Sequence, residues 1–178
     1  SRQCIIESLA GLLDCEAVGN GLVSVDMGPA NLDWRDIPLS EAIDTLHLNI
    51  GSGPLQDPVG VNMGNPHAIF FVDDAEAVDL DIHGPIIEHH KLFPRRVNVE
   101  AAQIISPEHI RLRVWERGVG ETLACGSGAC ATLVAACRRG LTERQVNIDL
   151  NGGTLQLQWM PDNHVMMTGP VTTSFSGF

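Results

Sequence analysis

A cysteine stands directly before a Gly-Ser-Gly turn in this sequence, at Cys125 in the run Leu-Ala-Cys-Gly-Ser-Gly-Ala-Cys, residues 123–130. Small and apolar residues follow, so segment 126–139 predicts a helix that begins just after the thiol. Amides at the start of a helix lack intrahelical acceptors, and the helix dipole favours negative charge there. We expect these amides to prevail over nearby acidic charge, so that the Cys125 thiol ionises below about pH 8.5. The structural alternative is a small apolar cysteine that packs at a helix start.

Five other polar residues accompany predicted strand ends. Glu116 and Arg117 end one strand, and arginine is suited to two-pronged binding of a carboxylate. Asn65 lies within a Gly-Asn-Pro turn, His67 follows this turn, and Asn98 lies among β-branched neighbours. Each residue also has a purely structural interpretation. Glu116 and Arg117 could form an ion pair at the rim, Asn65 could serve a tight turn, His67 could be a strand histidine with satisfied hydrogen bonds, and Asn98 could hydrogen-bond within the sheet. Taken with a thiolate and free amides, they indicate a pocket for a small zwitterion with carboxylates and amines.

Several other functions are excluded by pattern and charge. Gly118-Val119-Gly120 lacks the third glycine of a dinucleotide fingerprint, and no Gly-Lys-Ser/Thr phosphate loop is present. The five cysteines show no zinc-type spacing, so we expect no metal. The net charge of -11 argues against a nucleic-acid or membrane partner. Cysteine usage, and the lack of a signal peptide or a long apolar run, predict a cytoplasmic protein.

The periodicity predicts an α+β fold, mostly antiparallel, with a barrel-like sheet around a central buried helix. That helix is segment 126–139, because it is apolar almost all round and must be enclosed. Two surface helices are expected, one from Ser40 and one from Gly84-Pro85 that ends before Pro94. The predicted strands span 22–26, 45–50, 58–63, 67–72, 96–105, 109–116, 145–150, 154–159 and 164–168.

Three segments closely resemble the diaminopimelate epimerase family. They are Glu116 to Ala131 (ERGVGETLACGSGACA), Met63 to Ala68 (MGNPHA) and Arg96 to Glu100 (RVNVE), in the order expected of that family. Leu9 to Leu12 and Val25 to Gly28 are similar as well. The resemblance covers nearly the whole chain, and the longest segment is specific.

The resemblance implies an isomerase that interconverts LL- and meso-2,6-diaminopimelate without a cofactor, in lysine and peptidoglycan synthesis. Two cysteines on opposite faces of the α-carbon exchange the proton, and Cys125 would be one of them. The other roles implied for this chain concern the substrate and the thiol pKa values. Gly126 and Ser127 would bind the reacting carboxylate, Asn65, Asn98 and Arg117 the distal end, and Glu116 an amino group, while His67 and Glu116 would tune the cysteines.

The sequence departs from the family pattern at a few positions. Ser127 stands where threonine is common, Ala101 where phenylalanine is usual, and Phe175 where a tyrosine usually lies at a dimer contact. Neither Cys4 nor Cys15 matches the Cys-Gly-Asn-Gly segment of the family's first catalytic cysteine.

The chain is therefore expected to be the C-terminal half of a longer enzyme and to be inactive alone. Its expected partners are the missing N-terminal lobe and a second copy of the enzyme in a homodimer. Residues 1–25 would be the tail of the N-terminal lobe, 26–169 the C-terminal lobe, and 170–178 a segment that returns to the N-terminal lobe. The alternatives are a related two-cysteine isomerase such as a proline racemase, or a non-catalytic dicarboxylate-binding module.

Overall fold

Strands dominate the computed structural model, which describes residues 3–8 and 11–173. Thirteen strands and two helices follow one another along these residues. In chain order they are β1 Gln3–Ser8, β2 Gly11–Gly19, β3 Leu22–Pro29, β4 Gly51–Ser52, β5 Leu55–Gln56, β6 Val59–Asn62, β7 Pro66–Phe71, α1 Leu80–Glu88, β8 Asn98–Ser106, β9 His109–Glu116, β10 Gly120–Thr122, α2 Gly126–Arg138, β11 Gln145–Leu150, β12 Gly153–Trp159 and β13 His164–Pro170. Phe175 lies outside the described residues.

One mixed sheet contains all the strands except the small β4–β5 pair. Its order is β1-β2-β3-β13-β12-β11-β9-β8-β7-β6, and β10 pairs with β9 at the side. No pairing among the described residues joins β1 to β6, the two ends of this path. Only two pairs are parallel in that part of the chain, β7–β8 and β9–β11. Parallel neighbours need a crossover connection, and α1 and α2 lie in these two crossovers.

Two apolar cores lie on opposite faces of the middle strands. On β7, Ile69 joins the core around α2, whereas Ala68 and Phe70 join the core around α1. On β9, Ile110, Leu112 and Val114 alternate inward toward α2, as the period-two pattern predicts. Both faces are covered along residues 66–70 of β7 and 98–102 of β8, so the polar side chains His67, Asn98 and Glu100 are enclosed by protein.

Helix α2 confirms the predicted apolar helix and is buried along nearly its whole length. Its small residues, Ala129, Ala131, Ala135 and Ala136, are all 0% exposed, and they let strands approach the helix closely. The helix contacts strands from both halves of the sheet path: β6, β7, β8, β11, β12 and β13. At 13 residues it is too short to cross a bilayer, and no other helix in the described part of the chain is long and apolar enough.

The predictions for segment 40–50 are wrong. No helix begins at Ser40 and no strand covers 45–50, since turns and irregular backbone occupy this stretch. Its polar groups are satisfied from a distance: Arg138 donates to the Thr45 hydroxyl at 3.1 Å, and Arg139 donates to the Leu46 carbonyl at 3.0 Å. The chain is therefore held by side chains at the end of α2 and needs no regular structure of its own.

Helix α1 begins four residues before the predicted Gly84, because Asp79 caps it. The Asp79 carboxylate accepts from the Ile82 amide at 3.2 Å, which is a typical N-cap hydrogen bond. Pro85 thus lies inside the helix and not at its first position. The remaining predicted strands are confirmed within a few residues.

The two ends of the described chain belong to the same sheet as the middle. β1 pairs with β2, β2 with β3, and β3 with β13. The assignment of residues 1–25 and 170–178 to another lobe stays a prediction.

Candidate functional site

The thiol of Cys125 caps helix α2. Its backbone is extended, with φ -143° and ψ 106°, and Sγ accepts from the Gly128 amide at 3.4 Å. The Ser127 hydroxyl lies 3.6 Å from the same sulfur. Gly126 and Ser127 are the first two helical residues, whose amides have no acceptor within a helix. The predicted turn-to-helix arrangement at the cysteine is therefore present, with amides available beside the thiol.

Close packing explains the glycine at position 128. A Cβ there would lie 2.9 Å from the Glu100 Oε1 and 3.3 Å from the Cys125 Sγ, too close for any side chain to be accommodated without movement. A carboxylate of β8 thus lies against the first turn of α2, beside the thiol. The motif needs glycine here so that these groups can share one small space.

Burial decides the charge state of Cys125. The residue is 7% exposed, and loss of solvent raises the pKa of its thiol to about 11. The negative charge of Glu100 also raises this pKa, whereas the Ser127 hydroxyl and the Gly128 amide lower it by less. The expectation that the helix amides prevail is therefore wrong. The amides do stabilise the thiolate, but they compensate only part of the hydration that burial removes. Cys125 is a protonated thiol at neutral pH in this structure.

A buried histidine lies between two oxygen atoms next to this thiol. His67 is 0% exposed, with Nδ1 2.6 Å from the Glu100 Oε1 and Nε2 2.8 Å from the Asn65 Oδ1. Glu100 is also 0% exposed, and burial raises the pKa of its carboxyl despite the opposing effect of His67. The second carboxylate oxygen of Glu100 has no hydrogen-bond partner among the described residues. His67 is therefore engaged with Glu100 and not with Glu116.

Asn98 connects two of the predicted segments. Its Nδ2 donates to the Pro66 carbonyl at 2.9 Å, and its Oδ1 accepts from the Arg117 amide at 2.9 Å. Of the two interpretations of this residue, the hydrogen bond within the fold is confirmed. The Arg117 side chain is exposed, and Nη1 donates to the Arg95 carbonyl at 3.1 Å. Asn98 therefore fixes the backbone that presents this arginine.

Glu116 and the following turn are held by two further contacts. The Thr122 hydroxyl donates to the Glu116 Oε1 at 2.6 Å. Glu88, only 3% exposed at the end of α1, accepts from the Trp115 indole at 2.8 Å and from the Gly118 amide at 2.9 Å. The residues on both sides of Glu116 and Arg117 are thus tied to one buried carboxylate.

Two cavities open near the capped thiol. The first measures about 830 Å³ and includes Asn65 and Ser127 among its walls, opposite strands β2 and β3. The second measures about 1200 Å³, is more open, and includes Glu116, Thr122 and Ala124. Five of the predicted residues line neither cavity: His67, Asn98, Arg117, Cys125 and Gly126.

Sequence reasoning assigned no role to Glu100 or Glu88, the two most buried glutamates. Glu100 carried a signal, since it is a charged residue in a strand of β-branched and small neighbours. Such a residue is either exposed or enclosed with a partner, and the choice depends on α2 covering that face of β8. For Glu88, a glutamate on a short amphipathic helix, no local signal exists. The described residues contain no group of three or more side chains suited to hold a metal ion.

Comparisons with known proteins agree on one family and one fold. The family model described as diaminopimelate epimerase matches residues 59–174. The diaminopimelate epimerase of Rhodospirillum centenum is 62% identical over 172 residues, which cover 97% of this chain and 59% of the relative. That of Acidiphilium cryptum is 54% identical, covering 99% of this chain and 64% of the relative. The chain thus spans about three fifths of the length of these relatives.

Solved structures show a similar fold at low sequence identity. A hydroxyproline epimerase from Agrobacterium vitis, solved with trans-4-hydroxy-L-proline, superposes with a TM-score of 0.64 at 16% identity, over 96% of this chain and 57% of that one. A phenazine biosynthesis protein of the PhzF family from Bacillus anthracis superposes with a TM-score of 0.63 at 14% identity, over 96% of this chain and 66% of that one. At such identities the likeness concerns the fold alone.

Proposed function

This chain belongs to the diaminopimelate epimerase family, and on that premise we propose that it forms the C-terminal half of a cofactor-independent amino-acid epimerase. Its reaction would interconvert LL- and meso-2,6-diaminopimelate: one cysteine, as a thiolate, would remove the α-proton, and the other, as a thiol, would deliver a proton to the opposite face of the α-carbon. Cys125 would be one of these two cysteines. The observation that carries this proposal is the thiol at the N-cap of α2, with the first-turn amides beside it.

The chemistry of an α-proton explains why such a site suits it. Removing the proton moves negative charge toward the carboxylate, and preorganised amides at a helix N-terminus stabilise that charge. Gly126 and Ser127 would offer those amides. Inversion needs an acid on the face opposite the base, so one thiol begins protonated and the other ionised. Cys125, with its raised pKa, would begin as the protonated acid.

The remaining predicted residues would bind the rest of the substrate. Arg117 would grip the distal carboxylate with its two-pronged guanidinium, and Asn65 would donate from the wall of the first cavity. Asn98, whose amide already holds the Arg117 backbone, would act at the same end. Glu116 would pair with a substrate amino group.

Glu116 and His67 would also tune the thiols. Glu116 contributes a small upward effect on the pKa of Cys125, whereas the contact of His67 with Glu100 makes its effect indirect.

Partners and finer architecture are part of the same proposal. The second cysteine would come from an N-terminal lobe that packs near residues 1–25 and 170–178, and a homodimer would be one assembly of the whole enzyme. We also propose that the sheet wraps around α2 in a barrel-like way, since strands of both halves of its path contact that helix.

Turnover in heavy water tests this function. The chain is incubated with LL-diaminopimelate alone and with the N-terminal part of the Rhodospirillum centenum relative, and inversion with deuterium uptake is followed by NMR. We expect no inversion by the chain alone, inversion by the mixture, and none when the mixture contains Cys125→Ser.

Controls separate this reaction from its alternatives. Inversion that survives Cys125→Ser would overturn the assignment of the thiol. Faster inversion of proline than of diaminopimelate would favour a proline racemase. Binding of diaminopimelate to the mixture without any exchange would indicate a binding module.

A further inference from the structure

We propose that Glu100 is a positioning residue that acts through His67 to fix which side of the Asn65 amide faces the first cavity. The proposal rests on the proposed function, because it concerns a group that would bind the substrate. It starts from three buried contacts: Glu100 with His67 at 2.6 Å, His67 with Asn65 at 2.8 Å, and the packing of Glu100 against the first turn of α2.

The charge of the pair decides where its protons lie. With Glu100 ionised and His67 neutral, the enclosed pair would carry a net negative charge at 0% exposure, which is costly. Two arrangements are neutral overall: imidazolium with carboxylate, or imidazole with carboxylic acid. They differ only in the position of one proton along the 2.6 Å contact, and in both of them Nε2 carries a hydrogen.

That hydrogen determines the orientation of Asn65. An Nε2–H group can only donate, so the Asn65 Oδ1 must face His67, as the structure has it at 2.8 Å. The amide NH2 of Asn65 is then free to face the cavity, where it is a donor suited to a carboxylate ligand. If Nε2 lost its hydrogen, the amide would turn over and present its oxygen to the cavity, which repels a carboxylate.

Among the described residues, the two other ionisable groups near Glu100 are Cys125 and Glu116, and neither opposes the protonation of the His67 Nε2. Cys125 faces Glu100 from the start of α2, and Glu116 acts on it from β9. Cys125 is neutral while protonated, and Glu116 is negative. A negative neighbour further disfavours a charged Glu100 that is not balanced by a proton on His67. Glu116 therefore favours the states in which Nε2 carries a hydrogen, and Cys125, while protonated, does not oppose them.

The test is the tautomer of His67, followed by 15N NMR of the imidazole in the 178-residue chain. In the wild-type chain at neutral pH we expect Nε2 to show the shift of a protonated, pyrrole-type nitrogen. Glu100→Gln keeps the shape but removes the carboxylate, and a glutamine supports either tautomer. We expect that variant to lose the Nε2–H signal in part or in full. Glu88→Gln removes the other deeply buried glutamate and should leave the His67 signals unchanged.

Two results would overturn the proposal: a pyridine-type Nε2 in the wild-type chain, or an Nε2–H signal that persists unchanged in Glu100→Gln. Should Glu100→Gln lose its dispersed amide spectrum, Glu100→Asp replaces it, because the shorter side chain withdraws from Nδ1 and the same loss is expected. The measurement needs neither substrate nor turnover. A chain that retains the Nε2–H signal but never inverts diaminopimelate when mixed with the N-terminal part of the relative would therefore disprove the proposed function and leave this inference standing.

Discussion

The ionisation of Cys125 can be tested directly by its alkylation rate as a function of pH. Only the thiolate reacts with iodoacetamide, so the rate at a given pH follows the ionised fraction. With a pKa of about 11, roughly one Cys125 in a thousand is ionised at pH 8, against about one in four for an ordinary thiol of pKa near 8.5. We therefore expect Cys125 to react about 200-fold more slowly at pH 8 than a cysteine in an unstructured peptide.

The shape of the profile separates ionisation from simple lack of access. The Cys125 rate should rise about tenfold per pH unit from 7 to 9.5 without levelling off, since the whole range lies below its pKa. Mass spectrometry of peptides from the labelled, folded chain assigns each rate to one cysteine. Cys130 is the matched internal control, because it is 0% exposed in the same helix and burial raises the pKa of its thiol even further.

Two outcomes would refute the reasoning in different ways. A plateau at or below about pH 8.5 would mean that the helix amides outweigh burial after all. A Cys125 that reacts no faster than Cys130, or only when the chain unfolds, would be a packing residue, and the catalytic proposal would fail.

Three further predictions concern binding, the core and a surface ion pair. In the assembled enzyme, Arg117→Lys should weaken transition-state stabilisation, measured as kcat/KM, by about 1.5–3 kcal/mol, because a point charge cannot replace a two-pronged hydrogen bond. Unchanged kinetics would exclude this side chain from the site. Leu133→Ala, at a 0% exposed position of α2, should reduce the free energy of unfolding in urea by about 2–5 kcal/mol. The control Leu123→Ala, at 69% exposure, should change it by less than about 0.5 kcal/mol. Equal effects of the two variants would contradict the burial of α2. The hydrogen bond to Asp26 raises the pKa of His164, so the pair stabilises the fold below the ordinary histidine pKa, and this contribution is lost as pH rises through the raised value. His164→Gln should therefore lower the free energy of unfolding at pH 5.5 and hardly change it at pH 8.5. A loss of the same size at both pH values would show that the charge of His164 plays no part.

Regular elements with a strong apolar period were predictable, because their pattern reflects which face is buried. β9 alternates along its length, and α2 is mostly apolar and buried from Gly128 to Ala136. Segment 40–50 looked equally regular but is not. Leu48 is 0% exposed there without any periodic structure, since Arg138 and Arg139 satisfy the local backbone and side chains from 93 residues away. Such long-range partners leave no trace in the local pattern.

The residues of the candidate site were predictable as a set, but the contacts between them were not. Motif and resemblance selected Cys125, His67 and Asn98. In the structure His67 is paired with Glu100, which lies against the first turn of α2 beside Cys125, whereas the hydrogen bonds of Asn98 go to Pro66 and Arg117. The pairing of His67 with Glu100 depends on the parallel register of β7 and β8, in which His67 lies opposite Asn98 and Ile69 opposite Glu100. Neither strand alone specifies that register, so the sequence did not single out Glu100 as the partner of His67.

Because the pKa of Cys125 is raised, we expect the proposed substrate itself to help this thiol to ionise. A thiol that begins as the acid must become a thiolate once it has delivered its proton, in an enclosed space next to Glu100 and Glu116. The Ser127 hydroxyl and the Gly128 amide lower the pKa of Cys125 by less than burial and Glu100 raise it. A substrate ammonium paired with Glu116 would cancel one of the two charges that oppose ionisation, and a neutral Glu100–His67 pair would cancel the other. Burial alone would then oppose the ionisation of Cys125, so the pKa of this thiol would be lower with the substrate in place than in the empty site, where it stays protonated.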